Sequence, residues 1–322
     1  MLNPMTSIEL VPSEPEPAGI SVDNVGRSFG SVHAVRDASF VATPGSVTGL
    51  IGPNGSGKTT LMLMLASLLQ PDAGSILVDG HDPVTQTAAV RARLGWMPDV
   101  LGSWSSLSVR DALIFTARMY SMDRAAAAIR AAELIALVDL TELADSPTRV
   151  LSRGQKQRLS LARALVHDPT VLLLDEPASG LDPMARAQLR ILVRRLASEG
   201  KTFLISSHVL SELDEMADGA VYISQGVTAS AEALARSRAS ARPWRIRSSD
   251  VVALRAALVA AGIDEAAIVT DRTELIVALE GEPAASALLA RLVNAGVAIS
   301  TFAPAVGDLE HAFIDLSSEE SK

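Results

Sequence analysis

One octapeptide constrains this chain more than any other stretch. Gly52-Pro53-Asn54-Gly55-Ser56-Gly57-Lys58-Thr59 matches G-x-x-x-x-G-K-[ST] at every fixed position. It stands between the apolar run Val47–Ile51 and the helix-compatible run Leu61–Leu69, the strand–loop–helix setting that the pattern requires. Glycines let backbone N–H groups converge on phosphate oxygens, and the helix N-terminus adds a favourable dipole. Lys58 is placed to reach β- and γ-phosphates and Thr59 to ligate Mg²⁺, with Thr60 next in the same turn. The lysine carries weight here because only four of the 28 basic side chains are lysines: Lys58, Lys156, Lys201 and Lys322. The loop reads as a nucleoside triphosphate site.

A second chemical signal lies downstream. Val171-Leu172-Leu173-Leu174-Asp175-Glu176 is an apolar strand ending in two carboxylates. Two acids there could simply cap the next element. Beside a phosphate loop, Asp175 is suited to holding Mg²⁺ through water and Glu176 to polarising an attacking water. Short apolar runs flanked by turn residues at Val47–Ile51, Ser75–Val78, Leu94–Met97, Val171–Leu174, Thr202–Ser206 and Ala220–Ile223 predict buried strands of an α/β sheet. Leu107–Tyr120 and Arg124–Val138 have helical spacing with no strand between them, which suggests an inserted helical layer.

Composition removes several classes. The 322 residues suffice for two domains at roughly 100–200 residues each. The absence of cysteine excludes a disulfide scaffold, Cys-ligated zinc, an iron–sulfur cluster and a thiol nucleophile. A net charge of −9 argues against general nucleic-acid binding. No apolar run approaches the ~18–20 residues that cross a bilayer, and no secretory leader is evident, so a cytosolic protein is expected.

Leu151-Ser152-Arg153-Gly154-Gln155 resembles the LSGGQ signature of ATP-binding cassette (ABC) proteins, with Arg153 in place of the first glycine. Its companions follow in family order. Phe29 stands where an aromatic stacks on adenine. Leu94-Gly95-Trp96-Met97-Pro98-Asp99 occupies the Q-loop position, and Ser179-Gly180-Leu181-Asp182 resembles the D-loop. His208 matches the switch histidine. The resemblance covers about residues 20–225. It implies an α/β phosphate-loop ATPase domain with an inserted helical subdomain at about 100–165. It further implies that Glu176, His208 and Lys58 are catalytic, and that Ser152, Gly154, Gln155 and Asp182 join Phe29 and residues 52–60 on the nucleotide. Mg²⁺ falls to Thr59, Asp99 and Asp175; Asp99 departs from the usual glutamine and adds negative charge beside the acids. Two such subunits sandwich two ATP molecules head to tail, so a second copy or a paralogue is implied, together with a separate polytopic permease at the cytoplasmic face of the membrane. The segment Asp99–Trp104 is expected to meet that permease.

The Ser-Arg-Gly signature, the acid after Pro98 and the tail Pro304-Ala305-Val306-Gly307-Asp308-Leu309-Glu310-His311-Ala312-Phe313 resemble the bacterial drug- and polysaccharide-export branch. An exporter of drugs, antibiotics, lipids or polysaccharides is therefore expected. The alternatives are an importer subunit, or a cassette ATPase working in DNA repair or on ribosomes; no sustained heptad run of the repair type is seen. Residues 1–19, rich in proline, read as a disordered leader. Residues 226–242 read as a linker with a helix at Ala231–Arg238. Residues 243–322 have the order β-α-β-β-α-β, predicting a small α+β ferredoxin-like domain.

Overall fold

The structure is a computed structural model that describes residues 19–99, 102, 104–207, 210–229, 240–307 and 311–314. The expected leader, but for Gly19, and the helix at Ala231–Arg238 lie outside the described residues; of a last helix expected at Val306–Leu316, residues 311–314 are described and helical. The chain forms two compact units. One comprises Met1–Thr48 with Thr59–Ile205, the other Gly49–Lys58 with Ser206–Lys322.

Chain order begins with strands β1 (Ile20–Phe29), β2 (Val32–Ala42) and β3 (Val47–Ile51), then helix α1 (Lys58–Leu65) and strand β4 (Ala73–Val78). Helix α2 (Thr87–Arg93), strand β5 (Leu94–Met97) and helices α3 (Val109–Met119), α4 (Arg124–Leu137) and α5 (Arg153–Ala164) follow. Next come β6 (Val171–Asp175), α6 (Pro183–Ser198), β7 (Thr202–Ser207), α7 (Leu210–Asp214), β8 (Gly219–Ser224) and β9 (Val227–Thr228). The last elements are β10 (Ala241–Ser248), α8 (Val251–Ala260), β11 (Val269–Asp271), β12 (Glu274–Glu280), α9 (Gly281–Asn294) and β13 (Ile299–Pro304).

In the first unit β1 pairs antiparallel with both β2 and β4. The β1–β2 hairpin is not evident from the apolar runs. Register shifts between Val22 and Val25, Val25 and Arg27, and Arg27 and Ser28 break the two-residue alternation. Strands β5 and β6 are parallel, with Leu94 opposite Val171 and Met97 opposite Leu174. All five residues of β6 are buried, which explains the unbroken apolar run. The helical layer takes the expected place. Helix α3 buries Val109, Ala112, Leu113, Thr116 and Ala117, and α4 buries Ala127, Ala131, Leu134 and Ile135, the stripes of amphipathic helices. Helix α3 starts two residues later than the periodicity suggests because Ser108 caps it, accepting from Asp111 N at 3.0 Å.

His167 gives this unit a pH signature. Its ring stacks on Tyr120 at 3.8 Å, and Nε2 bonds the Leu94 carbonyl at 3.1 Å. Burial pushes the imidazole below its ordinary value, which is about 6.5. The unfolded chain therefore binds the proton more readily, and stability is lost as pH falls through 6.5 toward the folded value. Denaturant unfolding should show the midpoint dropping between pH 7.5 and 5.5, and His167→Phe should flatten that slope.

In the second unit the sheet order is β11-β12-β10-β13, every neighbouring pair antiparallel. With the helices between β10 and β11 and between β12 and β13, this is the ferredoxin-like arrangement. Trp244 and Ile246 lie opposite Val277 and Leu275. These four pack with Leu254 and Leu258 of α8 and with Ala285, Leu288 and Leu292 of α9 in one core. Asp250 caps α8 through Ala253 N at 2.9 Å. The runs Ala267–Thr270 and Val297–Phe302 predict strands, and both strands begin two residues later. Glu265–Ala267 is a 3₁₀ turn capped by Asp264, so β11 starts at Val269. Gly296 at φ +79° closes α9, and β13 begins at Ile299.

Candidate nucleotide site

The phosphate loop belongs to the second unit. Gly52 admits no side chain: a Cβ there would lie 2.1 Å from the Ile223 carbonyl oxygen and 2.6 Å from Ser56 Oγ. Gly55 and Gly57 hold φ values of +80° and +107°, a region that favours glycine. Ser56 N donates to the Pro53 carbonyl at 3.2 Å, and the Ser56 carbonyl accepts from Gly226 N at 3.0 Å. Lys58 is 8 % exposed, and its Nζ donates to the carbonyls of Gly52 at 2.6 Å and Pro53 at 3.1 Å. The ammonium thus arches back over the loop. Pro53, Asn54 and Gly55 are exposed along the rim, and Thr59 is exposed on the first turn of α1 with Thr60 half-buried beside it. Ser56 Oγ is buried with no hydrogen-bond partner among the described residues. A side-chain-free cradle, a positive charge and the start of a helix together fit a triphosphate.

The carboxylates lie in the first unit. Asp175 ends β6 at 5 % exposure. Glu176 takes φ +51°, the left-handed region that a non-glycine residue enters at a cost of about 1–3 kcal/mol. Its carbonyl accepts from Ser179 N at 3.1 Å. The strand ends there, with Asp175 buried and Glu176 half-buried. Among the described residues no three His, Asp or Glu side chains cluster as a metal cage. A hydroxyl and one carboxylate alongside phosphate oxygens and water is the donor set Mg²⁺ favours.

The signature segment is built on its own caps. Ser152 Oγ accepts from Gln155 N at 3.3 Å, and Gln155 Oε1 accepts from Ser152 N at 2.8 Å, a reciprocal capping box at the start of α5. The residue that breaks the usual pattern has a definite partner. Arg153 donates from Nε to the Ser179 carbonyl at 3.2 Å and from Nη2 to Ser179 Oγ at 3.0 Å. A Cβ on Gly180 would come within 2.5 Å of Arg153 Nε. A Cβ on Gly154 would stand 3.2 Å from Leu181 Cδ2. Asp182 caps α6 through Ala185 N at 3.0 Å, and that bond holds its carboxylate below the usual range. The clamp on Ser179 is invisible in sequence, where Arg153 is only a substitution.

Arg153→Ala should therefore lower ATP turnover about 5- to 30-fold, the equivalent of losing one or two hydrogen bonds. The melting temperature should barely move, because the side chain is exposed. Steady-state ATPase assays beside thermal melts check this; full activity would mean that the contact is dispensable.

The remaining positions are placed as follows. Phe29, 48 % exposed, ends β1 with the Arg27 guanidinium 5.0 Å from its ring centre. Arg27 is held there by Asp72 at 2.6 Å, a platform that reading Phe29 alone misses. Asp99 is exposed in a bend after β5. Trp104 is 37 % exposed, packs edge-on to Phe115 at 4.9 Å and lies 4.7 Å from the Arg163 guanidinium. It is both a packing residue and a surface residue. His208 lies outside the described residues, immediately after β7.

Comparison with known proteins agrees with this arrangement. The family model described as ABC transporter matches residues 35–179. The Nod factor export ATP-binding protein I of Paraburkholderia xenovorans is 37 % identical over 262 residues, covering 80 % of this chain and 83 % of that protein. The chain belongs to the ABC transporter ATP-binding family. The sulfate/thiosulfate import ATP-binding protein CysA of Thermosynechococcus vestitus is 40 % identical over 209 residues, covering 65 % of this chain and 62 % of that one. Among solved structures, cbiO1 from Clostridium perfringens, described as part of the ABC transporter complex cbiONQ, superposes with a TM-score of 0.60 at 28 % identity. That match covers 67 % of this chain and 88 % of the other. The protein is accordingly an ABC ATPase, the ATP-binding subunit of a transporter, with the mixed α/β cassette fold. No helix among the described residues is long and apolar enough to cross a membrane.

Proposed function

We propose that this subunit powers an exporter. It pairs with a second ATPase subunit, in the simplest case a copy of itself, around two ATP molecules. The pair drives a separate polytopic permease from the cytoplasmic face of the membrane. The cargo class is drugs, antibiotics, lipids or polysaccharides. One observation carries the direction of transport. Relatives named for export or drug resistance, a Nod factor export ATP-binding protein among them, support it, although an import-named one stands beside them. The Ser152-Arg153-Gly154 signature and the acid Asp99 after Pro98 support the same branch.

In this reading residues 20–225 form the ATPase domain and 226–242 a linker after the leader at 1–19. Residues 243–322 are an accessory domain that braces the assembly. Lys58 and the loop from Gly52 to Thr60 hold the phosphates, Phe29 stacks on the base, and Ser152, Gly154, Gln155 and Asp182 serve the partner's nucleotide. Thr59 and Asp175, with Asp99, hold Mg²⁺, which neutralises phosphate charge when bound. Glu176 orients the attacking water and takes its proton, and His208 stabilises the γ-phosphate. The exposed side chains of Trp104, Phe115 and Met119 supply apolar surface for a cytoplasmic helix of the permease.

The test is expression of the tagged chain with the permease encoded beside it. Co-purification of the two, and ATP-dependent loss of cargo from cells, are the expected results. ATP-dependent accumulation of cargo would reverse the direction, and capture of nucleic acid without a permease would remove the chain from transport.

A further inference from the structure

Where strand β4 runs out, one carboxylate takes over from it. β4 pairs with β1 from Val78 opposite Ile20 to Ala73 opposite Gly26, and the ladder ends there. Asp72, the residue just before β4, carries the pairing further along β1. Its N–H donates to the Gly26 carbonyl at 2.8 Å, and its Oδ2 accepts from Ser28 N at 2.7 Å. The other oxygen, Oδ1, accepts from Arg27 Nη1 at 2.6 Å. A carboxylate facing a guanidinium can take both bonds of the fork. Here it gives one oxygen to the backbone instead, and Arg27 Nε is buried with no hydrogen-bond partner among the described residues. On the other side of β1, the register against β2 shifts between Arg27 and Ser28, which locally disrupts that ladder. Asp72 therefore holds the end of β1 where one neighbouring ladder has ended and the other is irregular. Phe29 is the last residue of that strand, and residues two apart share a strand face. The Arg27 guanidinium lies over the Phe29 ring at 5.0 Å, within cation–π range.

We propose, on the reading that Phe29 stacks on adenine, that Asp72 is a positioning residue for the nucleotide base. It acts through Phe29 and not by contact with the nucleotide. Its carboxylate fixes the backbone just ahead of Phe29 and holds Arg27 against the ring, so the ring is set before the nucleotide arrives. Phe29 is 48 % exposed, which leaves ring surface for a base. A platform already in place loses little freedom when the base lands on it, whereas a loose ring must be ordered at binding. The phosphates are held by other residues, so the effect of Asp72 is confined to the part of the affinity that the base supplies.

ATP and inorganic tripolyphosphate, which has the phosphates and no base, are the probes, each titrated against the full chain by calorimetry. Asp72→Ala should weaken ATP about 3- to 10-fold, the scale of ordering one side chain on binding. Tripolyphosphate binding should stay within about twofold of wild type. The KM for ATP should rise by the same factor as Kd, with kcat nearly level. Phe29→Ala should weaken ATP at least as much, and adding Asp72→Ala to it should cost nothing more. Arg27→Gln, which spares the bond from Ser28 to Asp72, should show a smaller loss of the same kind. Should Asp72→Ala fail to fold, Arg27→Gln and Asp72→Asn carry the same comparison. Wild-type ATP affinity in Asp72→Ala beside a weakened Phe29→Ala would overturn the role of Asp72 alone. Unchanged ATP affinity in Phe29→Ala would overturn the stacking platform and the role of Asp72 with it. Equal losses of ATP and tripolyphosphate, or additive losses in the double variant, would make Asp72 a general support of the fold and overturn the proposal.

Discussion

Glu176→Gln should keep ATP binding and lose hydrolysis by about 10²–10⁴-fold, the range that a positioned general base contributes. The amide matches the carboxylate in size, so packing around the end of β6 is preserved. It has no basic oxygen with which to take a proton from water. The backbone adds a second reason to expect a specific effect. Glu176 sits at φ +51° directly after a fully buried strand, so an isosteric Gln keeps the same backbone turn and the change is confined to side-chain chemistry. The same change should trap the protein as an ATP-bound dimer, because ATP that is not hydrolysed continues to hold the two subunits together. Size-exclusion chromatography with ATP, beside a phosphate-release assay, reads both effects. Wild-type turnover in Glu176→Gln would remove this residue from the catalytic role.

Lys58→Ala should fail one step earlier, at nucleotide binding, with Kd raised about 10- to 100-fold for a lost charge-assisted contact. The geometry makes the loss twofold. The ammonium is the charge offered to phosphates, and it also bonds the carbonyls of Gly52 and Pro53. Without it those two carbonyls lose this donor and the loop loses a strut. Lys58→Arg should not restore binding. The planar guanidinium is broader than an ammonium, and the position is 8 % exposed within a loop where Gly52 has no room even for a Cβ. Fluorescent-nucleotide titration distinguishes the cases. Affinity within twofold of wild type in Lys58→Ala would contradict the assignment.

Much of this was legible in the residue order because its causes are local. A phosphate loop needs glycines and a lysine at fixed offsets between a strand and a helix. The strand β6 reads as an apolar run because it is buried on both faces, and the order of elements beyond Ala241 reads as ferredoxin-like from alternation and helical spacing alone. The β1–β2 hairpin was harder, since its bulges destroy the period on which such a reading depends.

Other features depend on residues distant in sequence meeting in space. Arg153 and Ser179 are joined by a side chain that crosses from α5 to the D-loop, and no spacing rule links them. Gln155 reads as a ligand of nucleotide in the signature, yet its Oε1 is engaged by the Ser152 amide. Gln157, by contrast, carries no sequence signal and is buried with no hydrogen-bond partner for its amide among the described residues. The residue order alone determined which chemistry this protein performs, because loop, acids and caps are set by local backbone geometry. Only the tertiary structure decided which polar groups are already engaged and which remain to be matched, because burial and hydrogen-bond satisfaction are properties of packing between elements.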